Sequence, residues 1–159
     1  MGLLSFERGA STLGQQFAFE RELREVLAIA ERTGRATDPV WRQRLASLHS
    51  RLEIMRWNSL RMLTDADKPE LSEAAYISKL YWARLHRDLG EALVDVADVD
   101  GLLCEQGVDD PHSVVRGYAL TAAQRLFLFT RSDTIYGGSD QIQRNVIAKQ
   151  LVARGGLDL

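Results

Sequence analysis

The chain has 159 residues, about one domain's worth, with 45% hydrophobic and 26% charged residues, the balance of an ordinary globular protein. A net charge of −2 and a pI near 5.9 give no electrostatic reason to expect nucleic acid or an anionic membrane as partner. One cysteine, Cys104, excludes an internal disulfide, and neither a signal-peptide pattern nor an apolar run approaching ~18 residues is present, so the expected location is cytoplasmic.

The first predicted element is a long helix from Leu3 to about Arg32. Phe6, Ala10, Leu13 and Phe17 step by four, three and four, and Leu23, Val26, Leu27 and Ala30 continue a shifted stripe. At 1.5 Å per residue it runs roughly 45 Å, longer than a small domain needs, so one end is expected to reach a neighbouring domain or subunit. Gly34 suits the end of that helix, and Asp38-Pro39 suits the cap and first turn of the next. Trp41, Leu45, Leu48, Leu52, Met55, Ser59 and Met62 then form a seam of three- and four-residue steps, the pattern of a bundle helix.

Pro69-Glu70 opens a third helix predicted to reach about Val99, with Leu71, Ala75, Trp82, Leu85, Leu89, Ala92 and Val96 on its buried face. Between Asp98 and Gly117 the pattern gives way to turn chemistry, and a shorter apolar helix is predicted from Tyr118 to about Phe129. Gly137-Gly138 followed by Ser139 reads as a helix entrance: two residues free to take positive φ, then a side-chain oxygen for the first unpaired amides. Ile142, Val146 or Ile147, and Leu151 give the last helix one apolar stripe. These segments predict an all-α, up-and-down four-helix bundle with an additional C-terminal helix. Leu45, Leu48, Leu52, Trp82, Leu85, Leu89 and Ile147 are expected to share its core.

His49, His86 and His112 lack the helical Glu-x-x-His pattern of di-iron bundles, so no metal site is predicted. There is no Cys-x-x-Cys, no phosphate-binding Gly-x-x-x-x-Gly-Lys and no Gly-x-Ser-x-Gly elbow. Carboxylates are plentiful, and on long helices nearly all are expected to be solvated.

The run Tyr136-Gly137-Gly138-Ser139 with Gln141-Ile142-Gln143-Arg144-Asn145 and Ile147-Ala148 closely resembles the C-terminal signature of the acyl-CoA dehydrogenase family, flavoenzymes that desaturate acyl-CoA thioesters. Phe127 to Ile135, Lys79-Leu80-Tyr81-Trp82, Leu85-His86 and Phe6-Glu7-Arg8-Gly9 resemble further segments of the same domain. The resemblance implies that residues 1–159 are the family's C-terminal helical domain, without its N-terminal helical and middle β domains. It also implies FAD as cofactor, an acyl-CoA substrate and assembly into a homo- or hetero-oligomer, dimer or tetramer.

By the same resemblance Ser139 and Gln141 match positions that contact FAD, and Arg8, Tyr136 and Gly137 fall on the substrate side. The base that removes the α-proton directly follows the signature tyrosine in many members, a place taken here by Gly137. In others it comes from the first long helix, where Glu7 is the match. Arg32-Thr33-Gly34-Arg35 lacks the Phe-Gly part of a flavin-binding element, and the region around Asp100-Gly101-Leu102-Leu103 replaces a glycine-rich flavin loop. This pattern leaves room for two alternatives: a catalytically silent partner subunit of a heteromeric enzyme, or a cofactor-free helical oligomerisation module.

Overall fold

A computed structural model describes residues 2–64, 73–108, 111, 116–153 and 155. Five α-helices dominate it: α1 (Gly2–Arg32), α2 (Pro39–Thr64), α3 (Glu73–Val96), α4 (Ala122–Ser132) and α5 (Asp140–Ala153). Two-residue strands β1 (Glu105–Gln106) and β2 (Tyr118–Ala119) pair antiparallel between α3 and α4. Among the described residues no helix is long and apolar enough to cross a membrane.

The turns are built by the residues the sequence points to. Gly34 takes φ 75 just beyond α1, and the Asp38 carboxylate accepts from the Val40 and Trp41 amides at 2.8 and 3.0 Å, which caps α2 ahead of Pro39. α2 then buries Trp41, Leu45, Leu48, Leu52, Met55, Ser59 and Met62, the whole of the predicted seam.

Polar pairs fix the helix directions. Arg51 meets Asp88 at 2.7 Å and Arg44 meets Asp95 at 2.9 Å, so α2 and α3 are antiparallel. Thr33 Oγ1 donates to the Val96 carbonyl at 3.4 Å while Glu22 meets His86, so α1 and α3 run parallel in a constant register. α4 returns antiparallel to α3, with Gly90 against Phe127 and Thr130. A Cβ at Gly90 would lie 2.7 Å from Thr130 Oγ1 and 3.2 Å from the Phe127 Cα, so only glycine permits this approach. The result is the predicted up-and-down bundle, its core made by Phe19, Leu23, Val26 and Ala30 of α1, Trp41, Leu45, Leu48, Leu52 and Met55 of α2, and Leu85, Leu89, Ala92 and Val96 of α3.

Four expectations are corrected. In α1 the buried stripe includes Phe19, which is 2% exposed, while Phe17 is 70% exposed. Helix α4 starts at Ala122, because Thr121 forms a reciprocal capping box with Gln124 and Tyr118 is held in the strand pair. α3 ends at Val96, where the chain passes into a tight 3₁₀ turn, Asp98–Leu102, with Asp98 at φ 57. Ile147 is only half-buried and lies outside the core, because no residue of α5 is buried. Leu71 lies outside the described residues.

Candidate functional site

The candidate site is the turn between α4 and α5. Tyr136 N donates back to the Ser132 carbonyl at 3.0 Å, and Gly137 and Gly138 then take φ 64 and 99, a region that favours glycine. Asp140 N donates to the Thr134 carbonyl at 3.2 Å, which closes the turn. Ser139 lies just before α5, accepting weakly from the Ile142 amide at 3.4 Å, while Gln143 Nε2 donates to the Gly137 carbonyl at 3.2 Å. A Cβ on Gly138 would fall 2.6 Å from that Gln143 amide. Asp140, in the first turn of α5, is engaged by Arg84 Nε at 3.1 Å.

Below the turn lies a buried polar chain. Asp133, fully buried, accepts from the Tyr136 hydroxyl through Oδ1 at 2.7 Å and meets His86 Nδ1 through Oδ2 at 2.6 Å. The other ring nitrogen, Nε2, lies 3.3 Å from Glu22 Oε1 and 3.2 Å from Oε2. Phe19 stacks on the imidazole, centroids 4.2 Å apart, and Phe129 meets it edge-on. Lys79 donates to the Asp133 main-chain carbonyl and carries its ammonium over the Trp82 and Tyr136 rings, 4.5 and 5.1 Å from their centroids.

The electrostatics follow from burial and pairing. Burial alone would lower the His86 pKa, but hydrogen bonding and charge from Glu22, and then from Asp133, outweigh it and raise it above its ordinary value. Burial, the hydrogen bond to Asp133 and that carboxylate's charge push Tyr136 up to about 12, so it stays a neutral donor. Lys79 is lowered by burial despite the attraction of Asp133 and Asp140. With His86 protonated, the carboxylates of Glu22 and Asp133 are balanced by His86 and Lys79. Because both ring nitrogens face carboxylates, the imidazole is disposed as a two-sided donor rather than a metal ligand.

Tyr136, Gly137, Ser139 and Gln141 are thus brought together on one turn and the first turn of α5. The α1 backbone includes Glu7 and Arg8, but their side chains lie outside the described residues. By the α1–α3 register, Lys79 beside Gly137 stands level with about Gln15, and Glu7 lies roughly 12 Å further along the α1 axis. Sequence reasoning missed Glu22, Lys79, His86 and Asp133 as a group. The available signals were Glu22 lying beside Leu23 within the stripe of Phe19 and Val26, and His86 lying beside Leu85 on the buried face of α3.

A flat cofactor edge fits the turn on one side. Gly137 and Gly138 present backbone without side chains, Ile135, Tyr136 and Ile142 form an exposed apolar rim, and the Ser139 hydroxyl and exposed Gln141 amide add polar partners. These residues would make one wall of such a site. A separate open groove of about 350 Å³ lies between the end of α2, the start of α3 and α5, lined in part by Ile77, Ile147 and Leu151.

The sequence model described as "Acyl-CoA dehydrogenase, C-terminal domain" matches residues 1–152. The chain is 44% identical over 152 residues to "Acyl-CoA dehydrogenase IpdE1" of Mycolicibacterium smegmatis and 42% identical over 152 residues to its namesake in Mycobacterium tuberculosis. Each match covers 96% of this chain but only 35% and 36% of those proteins, so the chain spans about a third of their length. Among solved structures, "Tcur3481-Tcur3483 steroid ACAD" and its G363A variant superpose with a TM-score of 0.71 at 24% and 22% identity. They cover 96% and 99% of this chain, which spans 37% and 39% of theirs, and at that identity the likeness is one of fold.

Proposed function

This chain belongs to the acyl-CoA dehydrogenase family, and we propose on that footing that it serves the α,β-desaturation of an acyl-CoA thioester as the C-terminal helical domain of a flavoenzyme. The observation that carries the reading is the Gly137-Gly138 turn, a glycine backbone at positive φ flanked by Ser139 and Gln141. Ser139 and Gln141 would hold the FAD edge by hydrogen bonds, the Tyr136 ring and Gly137 backbone would border the acyl chain, and Arg8 is assigned to the substrate from the family resemblance. FAD, when bound, supplies the acceptor for the hydride that leaves the β-carbon. Glu7 removes the α-proton, since Gly137 has no side chain to do so. Enclosure would raise the Glu7 carboxyl toward neutrality and so make it a competent base.

In this reading the remaining walls of the pocket come from an N-terminal helical and a middle β domain. The apolar stripe of α5, with Ile142, Val146 and Leu151 exposed, supports burial of this face against another subunit. A second reading, a catalytically silent partner in a heteromeric enzyme, is favoured by Gly137 standing where many members carry their base. The two are separated by purifying the flavoprotein that carries this domain and adding acyl-CoA: bleaching of the oxidised flavin that depends on Glu7 supports the first. A flavin whose bleaching is indifferent to Glu7 counts against the first, and absence of flavin supports the silent partner or a cofactor-free oligomerisation module.

A further inference from the structure

Glu22, His86 and Asp133 take no part in the chemistry proposed above, yet with Tyr136 they join α1, α3 and the α4–α5 turn through the interior. Stability is a poor explanation, because a buried ion pair of this kind commonly contributes less than well-packed apolar residues of the same volume. Geometry explains it better. Asp133 has each carboxylate oxygen committed to a different residue, so its rotamer is fixed from two sides. Tyr136 is in turn held by its hydroxyl, next to the two residues whose positive φ defines the turn.

We propose that His86 and Asp133 are positioning residues for the Tyr136–Gly138 turn: His86, held between Glu22 and Asp133, sets the Asp133 carboxylate, and Asp133 sets Tyr136 and the glycine backbone. The inference rests on the reading of this turn as the flavin- and substrate-facing edge, and it adds that the edge is aimed from behind by a protonated histidine. The groups that face the His86 ring are Glu22 of α1, Asp133 of the turn and the Phe19 and Phe129 rings. Lys79 of α3 and the Tyr136 hydroxyl face Asp133, and the Arg84–Asp140 pair flanks the turn. Loss of the His86 proton leaves one buried carboxylate without a counter-charge and without a donor on one side. The orientation of Tyr136 and of the glycine amides is therefore coupled to that proton.

The test is nuclear magnetic resonance of the chain, following the His86 ring nitrogens and the Gly137 and Gly138 amides as pH is raised. It is run in the parent, in Asp133→Asn and in Tyr136→Phe, which loses only one hydroxyl from a half-exposed ring and serves should Asp133→Asn not fold. Both ring nitrogens should carry protons at neutral pH, the two glycine amides should move with the His86 titration in the parent, and Tyr136→Phe should abolish or strongly reduce that coupled movement. A singly protonated His86 at neutral pH, or glycine amides indifferent to His86 and to the loss of the Tyr136 hydroxyl, would overturn the proposal. In the flavoprotein carrying this domain, Asp133→Asn should slow flavin bleaching about tenfold or more with substrate affinity little changed. If the parent flavoprotein does not bleach at all, the flavin reading fails while the amide titration still decides the positioning role.

Discussion

His86 Nδ1 lies 2.6 Å from Asp133 Oδ2, which ties the middle of α3 to the turn after α4 inside the protein. Because Glu22 of α1 occupies the other ring nitrogen, one imidazole links three separate elements at the level of the candidate site.

That link makes stability depend on pH in a definite direction. The folded-state pKa of His86 is raised above its ordinary value of about 6.5, so the folded protein holds the proton more tightly than the unfolded chain does. The stabilisation is complete below about pH 6.5 and is lost as pH rises through the folded value. The urea midpoint of the parent should fall as pH rises above about 6.5, and that of His86→Gln should change much less over the same range. Tyr136 adds a second, alkaline window: its pKa of about 12 against an ordinary 10.0 means its share is lost only above about pH 10.

Core and periphery should separate cleanly in mutational cost. Leu89, fully buried between the helices, should lose about 2–5 kcal/mol on change to Ala. Ile147→Ala should cost well under that, because Ile147 borders the open groove rather than the core. Denaturant unfolding of the two variants checks the ranking, and equal losses would contradict the placement of α5.

Two helical glycines should respond with opposite signs. Gly90→Ala would drive a methyl against Thr130 and the Phe127 backbone, an overpacking that should cost about 1–3 kcal/mol and part α3 from α4. Gly14→Ala meets nothing within 4 Å, and the gain in helix propensity should stabilise by about 0.5–1 kcal/mol. Thermal melts of the two variants give both signs in one experiment.

The sequence was informative wherever the determinant was local. The α2 seam from Trp41 to Met62 could be read whole because a helix with one buried face imposes its period on the chain. Gly137-Gly138-Ser139 announced a helix entrance because positive φ and capping are properties of adjacent residues. Phe17 and Phe19 were a different matter. Both are apolar, they lie on opposite sides of α1, and what selects Phe19 is the His86 ring it stacks on, contributed by a helix far along the chain. Glu22 read as one more solvated carboxylate, and only folding brings it to His86. The geometry of the turn was therefore legible in part: the glycine turn and the Ser139 cap from their neighbours in sequence, but not the buried Asp133–His86–Glu22 chain beneath them, whose members carry no common spacing.

On the proposed reading, Glu7 of this domain is the base that takes the α-proton in an acyl-CoA dehydrogenase. The most direct test is Glu7→Gln in the flavoprotein that carries this domain, followed as flavin bleaching on addition of acyl-CoA in a single turnover. A general base contributes about two to four decades in rate, so the account predicts bleaching slowed roughly 10²–10⁴-fold with flavin retained. Bleaching at nearly the parent rate, with the flavin content of the parent, would contradict it.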